Sequence, residues 1–300
     1  MLKFRVISPS DRAARIKEWW GDHWVKVDLE VEFAKRGYEV VQKDADIDIF
    51  LFGNFHWGNQ PTAPRKFCWL YSHPELVVKK REQWKKFGSQ FEHIFVLSKS
   101  YVDVVRRDFK NSSVLLGGTS KTYRPRENKC KYDLLFVGNT GKPQRVEILK
   151  YLAESGKYTI GLVGAKWDQV LGSTLDKLHW LGPYFDNREL GDLFNQSFLS
   201  FYATHEDMRK NGFVAVRILD VFCSSDCLMI PDVNPGLKDI FDENILPTFE
   251  AKEDLEEHLD WYLEHHVEID NDAYECREMA KKFTFERVVD KIESVIRKGA

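Results

Sequence analysis

Within NGFVAVRILDVFCSSDCLMIPD, residues 211–232, two charges interrupt an apolar run. Arg217 and Asp220 fall inside Phe213–Cys223, whose pattern predicts a buried helix. An ion is costly to bury unless it is paired or meets a ligand. Residues three apart share a helix face, so this face carries a guanidinium and a carboxylate together. Asn211-Gly212 just upstream reads as a tight approach to the helix N-terminus, where anions bind well. Cys227–Ile230 downstream reads as a short strand ending in Pro231-Asp232. These residue types suit a nucleoside diphosphate. The competing reading is a plain intrahelical Arg217–Asp220 pair, worth at most ~1 kcal/mol on a surface.

Other candidates stand at the ends of strand-like runs. Gly138-Asn139-Thr140 follows Leu134–Val137, and such a turn lets backbone N–H groups approach phosphates. Arg145 comes in the first turn of the helix that follows. Leu181-Gly182-Pro183-Tyr184 ends another strand, and His205-Glu206-Asp207 forms a polar loop after Leu199–Tyr202. Nearer the N-terminus, Asp22 in Trp20-Gly21-Asp22-His23 either contacts an acceptor group or caps the helix Val25–Arg36. In Tyr71-Ser72-His73-Pro74-Glu75, His73 and Glu75 are side-chain types that serve as general bases. The competing role there is a cap for the helix starting at Pro74. Asp46-Ile47-Asp48 has Asp-x-Asp spacing but opens a strand at the end away from any ligand crevice, so it is rejected as a metal site.

The elements that must position these groups alternate. Strands are predicted at Lys3–Ile7, Tyr38–Val41, Ile47–Phe52, Lys66–Tyr71, His93–Leu97 and Val114–Leu116, with helices Val25–Arg36, Leu76–Phe87 and Tyr101–Phe109 between them. After the polar stretch GGTSKTYRPRENKCKYD a second series begins. It runs Leu134–Val137, helix Gln144–Ser155, Thr159–Val163, Trp180–Leu181, helix Asn187–Gln196 and Leu199–Tyr202, with closing helices Asp254–His265 and Tyr274–Arg297. Such alternation predicts mostly parallel sheets covered by helices on both faces. The expected domains are 1–118, a linker 119–131, 132–280, and a C-terminal helix 281–300 crossing back to the first domain.

Composition narrows the function classes. A chain of 300 residues, 43% hydrophobic and 30% charged with net charge -3, is an ordinary globular protein and gives no reason to expect a nucleic-acid partner. Nine Trp and 14% aromatic content mildly favour a carbohydrate ligand. Cys68, Cys130, Cys223, Cys227 and Cys276 lack zinc spacing and read as free thiols. MLKFRVIS reads as a strand and not a signal peptide, so the expected location is cytoplasmic. Lys79, Lys80, Arg81, Lys85 and Lys86 make the Leu76–Phe87 helix basic on one side, either a solvated face or a weak peripheral contact with an anionic membrane.

The second half resembles glycosyltransferases of the GT-B fold, particularly the spore-maturation-protein-like (CgeB-like) group. The resemblance is carried in order by GGTSKTYRP, DLLFVGNTGKPQR, HWLGPYFDNRELGDLFNQS and NGFVAVRILDVFCSSDCLMIPD. It implies two Rossmann-like domains facing across a cleft, the second binding a nucleotide-diphosphate sugar. It also implies roles. Gly138, Asn139 and Arg145 serve the phosphates with Arg217, Asn211 and Gly212, while the loop with His205 either touches the donor phosphate or sugar or is a solvated charge run. Asp220 accepts from the ribose hydroxyls, since a carboxylate only accepts and a diol offers two donors. Gly182 and Tyr184 lie against the base. The first domain, with His73, Asp22 and Glu75, presents a carbohydrate, lipid-linked or protein acceptor. Asp220 stands where the family usually has Glu, and Gly212 where many relatives carry a carboxylate, which leaves the stereochemical outcome and donor sugar open. Arg145, Arg217 and the helix N-terminus after Gly212 can carry the diphosphate's countercharge, so transfer is expected to need no metal and no cofactor. Alternatives are a nucleotide-sugar epimerase on the same fold and a non-catalytic nucleotide- or sugar-binding protein.

Overall fold

The computed structural model describes residues 1–9, 21–53, 60–183 and 186–298. The chain forms two compact units. The first is assembled from Met1–Ser120, Glu206–Val216 and Phe283–Ala300, and the second from Lys121–His205 and Arg217–Lys282.

The first unit is built on strands β1 (Lys3–Ile7), β2 (Glu39–Val40), β3 (Ile47–Phe52), β4 (Arg65–Leu70), β5 (His93–Val96) and β6 (Ser112–Val114). All pairings are parallel, in the order β2-β1-β3-β4-β5-β6. β3 reads IDIFLF and is buried at every position, as a strand covered on both faces must be. Its one charge, Asp48, faces Arg5 across the β1–β3 register and takes its guanidinium through two bonds of 2.8 and 2.7 Å. Asp48 also accepts the amides of Thr62 and Ala63, and Asp46 accepts the Lys3 amide. Both carboxylates of the Asp-x-Asp pair therefore build the sheet edge.

Three local expectations change here. The helix predicted over Leu76–Phe87 is two, Glu75–Lys79 and Arg81–Gly88, parted at Lys80 (φ -122°, ψ 43°). The second piece seats Trp84, fully buried, edge-on to Phe52 and Phe109. β6 lies at Ser112–Val114 instead of Val114–Leu116 because its register on β5 starts at Ile94↔Ser112, which apolar content alone does not reveal. The single helix predicted over Tyr274–Arg297 is also two, His266–Ala280 in the second unit and Phe285–Lys298 in the first. Between them Thr284 pairs with Thr119: Thr119 N–H donates to Phe283 O at 3.0 Å and Phe285 N–H to Thr119 O at 3.3 Å. Gly118 permits this approach, since a Cβ there would lie 2.6 Å from the Thr284 carbonyl carbon. The last helix then buries Phe285, Val288, Val289, Ile292 and Ile296, one apolar stripe at helical spacing.

The second unit carries β7 (Tyr132–Val137), β8 (Ile160–Val163), β9 (His179–Trp180), β10 (Ser197–Tyr202) and β11 (Leu228–Pro231). These also pair in parallel, in the order β11-β10-β7-β8-β9. Tyr123 Oη and the Arg126 amide both donate 2.8 Å bonds to Asp226, which Arg277 also meets at 3.0 Å; residues 121–126 are thus fastened to this unit. The five cysteines are free thiols, and burial pushes Cys223 and Cys227 up to about 12. Among the described residues no helix is long and apolar enough to cross a membrane.

Candidate functional site

In the second unit the chain steps outward from β7 through β8 to β9, then returns to the other side of β7 with β10 and β11. Neighbouring loops after β7 and β10 therefore leave in opposite directions, and the crevice outside such a switch point is where open α/β sheets bind ligands. Arg145 lies across it. Its Nε and Nη2 donate to Ala203 O at 3.2 and 3.1 Å, and its Nη1 to Asn139 O at 3.3 Å. The guanidinium is sandwiched by the rings of Phe136 and Tyr202, 5.5 and 5.4 Å away, and the residue is 7% exposed. Gly138 makes room, since a Cβ there would come within 2.9 Å of Nη1. Arg145 thus fixes the two loops against each other through their carbonyls. Lys142, at the start of the same helix, also donates to Ala203 O at 3.3 Å and is only half-buried.

Glycines bring the remaining loops in. Gly164, after β8, has φ +148°, and a Cβ on it would sit 1.9 Å from Gly138 O. Its amide donates to Gly182 O at 3.0 Å, and Trp180 Nε1 donates to Gly164 O at 3.2 Å. Asn139 Oδ1 accepts the Ala165 amide at 3.5 Å. Gly138, Asn139 and Gly182 therefore meet at one edge, through a residue (Gly164) that the sequence reading passed over. Its signal was present: a Gly directly after an apolar strand, like Gly138. Asp232 was also passed over. Fully buried after β11, it accepts the Thr204 amide and hydroxyl at 2.9 and 2.7 Å and so orients the loop that leads to exposed His205. Tyr184 lies outside the described residues.

The 211–232 segment differs from its sequence reading at its start. The helix begins at Val216 and not Phe213, and Glu206–Lys210 is a helix where a loop was expected. Gly212 (φ +71°) closes that earlier helix: its amide bonds Arg209 O and the Phe213 amide bonds Met208 O. This crossed pair is the Schellman stop, which needs a left-handed residue just past the helix. Asn211-Gly212 thus ends one helix, three residues before the next begins, instead of opening it. Arg217 falls in the first turn of Val216–Ser224 and donates to the buried Asn187 Oδ1 at 3.2 Å. Asp220, one turn on, is 6% exposed, and its charge helps burial raise the Cys223 thiol.

The first sheet has its own reversal, between β1 and β3, because β2 and β3 flank β1. There Ser8 Oγ donates to Asp22 at 2.5 Å, so Asp22 ties the helix Gly21–Lys35 to the end of β1 from inside its first turn. A Cβ on Gly53, after β3, would come within 2.8 Å of Ser72 Oγ. His73 follows β4 with φ +52°, a left-handed backbone uncommon for a residue with a side chain. Its Nδ1 stands 3.6 Å from Asp207 Oδ2, and its side chain is 42% exposed. Glu75 opens the helix Glu75–Lys79 and pairs with Lys79. On the basic helix face Arg81 is bound to Asp108 and Lys85 to Glu82, which offsets much of its charge.

Two parallel α/β units, one with its reversal between β1 and β3 and one in Rossmann order, define the GT-B fold. Residues 144–294 match the model of the glycosyl transferase-like family, and the chain belongs to that family; it is a glycosyltransferase. No curated protein matches the sequence. Among solved structures, Anabaena HepE in complex with UDP-glucose superposes with a TM-score of 0.69 at 11% identity, over 99% of this chain and 100% of that one. T4 phage BGT in complex with its UDP-glucose substrate gives 0.62 at 11%, over 98% and 99%. S. aureus TarM, solved with fondaparinux, α-GlcNAc-glycerol and UDP, gives 0.61 at 12%, over 83% of this chain and 55% of that one. This chain therefore spans about half of TarM.

Proposed function

We propose that the protein transfers a sugar from a UDP-sugar to an acceptor hydroxyl without a metal ion. The observation that carries this reading is the β7/β10 crevice, where Arg145 and Lys142 converge on Ala203 O and glycines expose the backbone of three loops. UDP or UDP-glucose in the three similar solved structures supports the choice of nucleotide.

In this reading the diphosphate rests against the Gly138–Asn139 backbone, with Lys142 and Arg217 as countercharge. Arg145 stands one layer back and sets the loop geometry. Asp220 accepts from the ribose, and Gly182 borders the base. As the bond from the anomeric carbon to the diphosphate breaks, negative charge grows on the leaving oxygen, and preorganised cations stabilise it. The acceptor is a carbohydrate, lipid-linked or protein hydroxyl presented by the first unit, near His73 and Asp22, with Glu75 held back by its pairing to Lys79.

Thermal shift against UDP, GDP, TDP and ADP, each with and without EDTA, tests the donor class. UDP is expected to raise the melting temperature most, equally with the chelator. No shift from any of the four would overturn the reading. Release of free UDP from UDP-glucose then separates transfer from isomerisation.

A further inference from the structure

We propose that Asn187 is a positioning residue for Arg217, whose guanidinium it orients for the diphosphate with a neutral amide oxygen that leaves the charge uncancelled. This rests on the reading of Arg217 as a countercharge to the donor. It concerns the second unit alone, to which both residues belong.

Asn187 is 1% exposed, and its Oδ1 accepts Arg217 Nη1 at 3.2 Å. Burying an amide costs free energy unless it is hydrogen-bonded, so an apolar side chain would fill this position more cheaply. What the amide adds is a hold on Arg217.

The stretch that carries Asn187 is fastened along the helix Val216–Ser224. Asp186 caps a 3-10 turn over Asn187–Glu189 by accepting the Arg188 amide at 2.9 Å, and the helix Leu190–Phe194 follows directly. Leu190 and Phe194 are fully buried. Gly191 lies so close that a Cβ on it would sit 2.3 Å from Ser224 O. Asn195 Oδ1 then accepts the Asp226 amide at 2.9 Å. Lys121 Nζ donates to Asn187 O at 3.1 Å, which fixes the other end. The stretch therefore grips the end of the helix through Gly191 and its first turn through Asn187.

A guanidinium is a planar fork, so holding one Nη restricts the orientation of the whole group. An arginine ordered beforehand loses less freedom when an anion arrives. The neutral partner matters as much as the contact. A carboxylate in the same place would bind Arg217 more strongly, but its charge would oppose that of the diphosphate. Asn is the residue type that orients the cation without adding a negative charge beside the ligand.

The test measures the full-length protein against UDP by isothermal titration and against uridine by ligand-observed NMR. Asn187→Ala should weaken UDP about tenfold and leave uridine unchanged. Asn187→Asp should weaken UDP further still, although its melting temperature is no lower than that of Asn187→Ala. In an Arg217→Gln background, Asn187→Ala should cost no further UDP affinity. A structural role alone would move UDP and uridine together, or neither, and either result overturns the proposal. UDP binding by Asn187→Asp as tight as wild type, or multiplying losses in the double variant, overturns it too. Failure of the functional reading looks different: a wild type that binds no UDP, which overturns both.

Discussion

Replacing Arg145 by Met tests whether this residue holds the donor crevice together. The substitution removes three donor contacts to two carbonyls, Ala203 O and Asn139 O, and the stacking on Phe136 and Tyr202. Bonds from a charged donor contribute about 1.5–3 kcal/mol each, and the paired bonds to Ala203 O are counted once because they share an acceptor. The gross loss is then about 3–6 kcal/mol. Burial of the Met side chain at a position only 7% exposed returns about 1–2 kcal/mol, leaving about 2–4 kcal/mol. For a cooperative unit of about 150 residues this lowers the melting temperature by about 4–16 °C. UDP affinity should fall about tenfold, since both loops that face the diphosphate lose their mutual support. Differential scanning calorimetry and isothermal titration read the two effects. Arg145→Lys keeps the charge without the planar fork, so it should recover little of the loss. Melting within about 2 °C of wild type, with unchanged UDP affinity, would refute the reasoning.

Three further outcomes are expected. Asp220→Ala should weaken UDP binding more than about tenfold by titration while leaving the melting temperature intact; equal affinity would remove Asp220 from the ribose site. Gly164→Ala should cost about 3 kcal/mol or more in chemical denaturation, because its Cβ would meet Gly138 O at 1.9 Å, whereas Gly156→Ala, with open space around it, should cost only about 1 kcal/mol. His93 is held neutral, its pKa brought from 6.5 down to about 4 by burial and then by the Lys291 charge. The unfolded chain therefore takes up this proton first, so the contribution is complete above pH 6.5 and is lost as pH falls toward about 4. His93→Gln should flatten the stability profile over that interval, and an unaltered slope would refute the assignment.

Much of the architecture is legible in the sequence because buried parallel strands are short apolar runs. Lys3–Ile7 and Ile47–Phe52 carry the same bounds in the structure as in the pattern. Periodicity fails where a tertiary contact overrides it. Thr284 leaves a helical pattern to pair with Thr119, and Lys80 breaks one so that Trp84 can reach Phe52. Asn211-Gly212 carries a genuine turn signal whose direction is ambiguous: a left-handed glycine closes the preceding helix as readily as it precedes the next. At the candidate site, the glycine at each strand end is visible locally. The Asp232–Thr204 bond and the 3.6 Å approach of His73 to Asp207 join residues far apart in sequence, so no spacing rule announces them.

The crystal structure of the protein with UDP bound tests the central claim most directly. The diphosphate is expected at the carboxyl ends of β7 and β10, against the Gly138–Asn139 backbone and within reach of Lys142 and Arg217. UDP bound instead in the cavity of about 370 Å³ lined by Val233, Asn234, Leu237 and Phe241, or on the first unit, would contradict it.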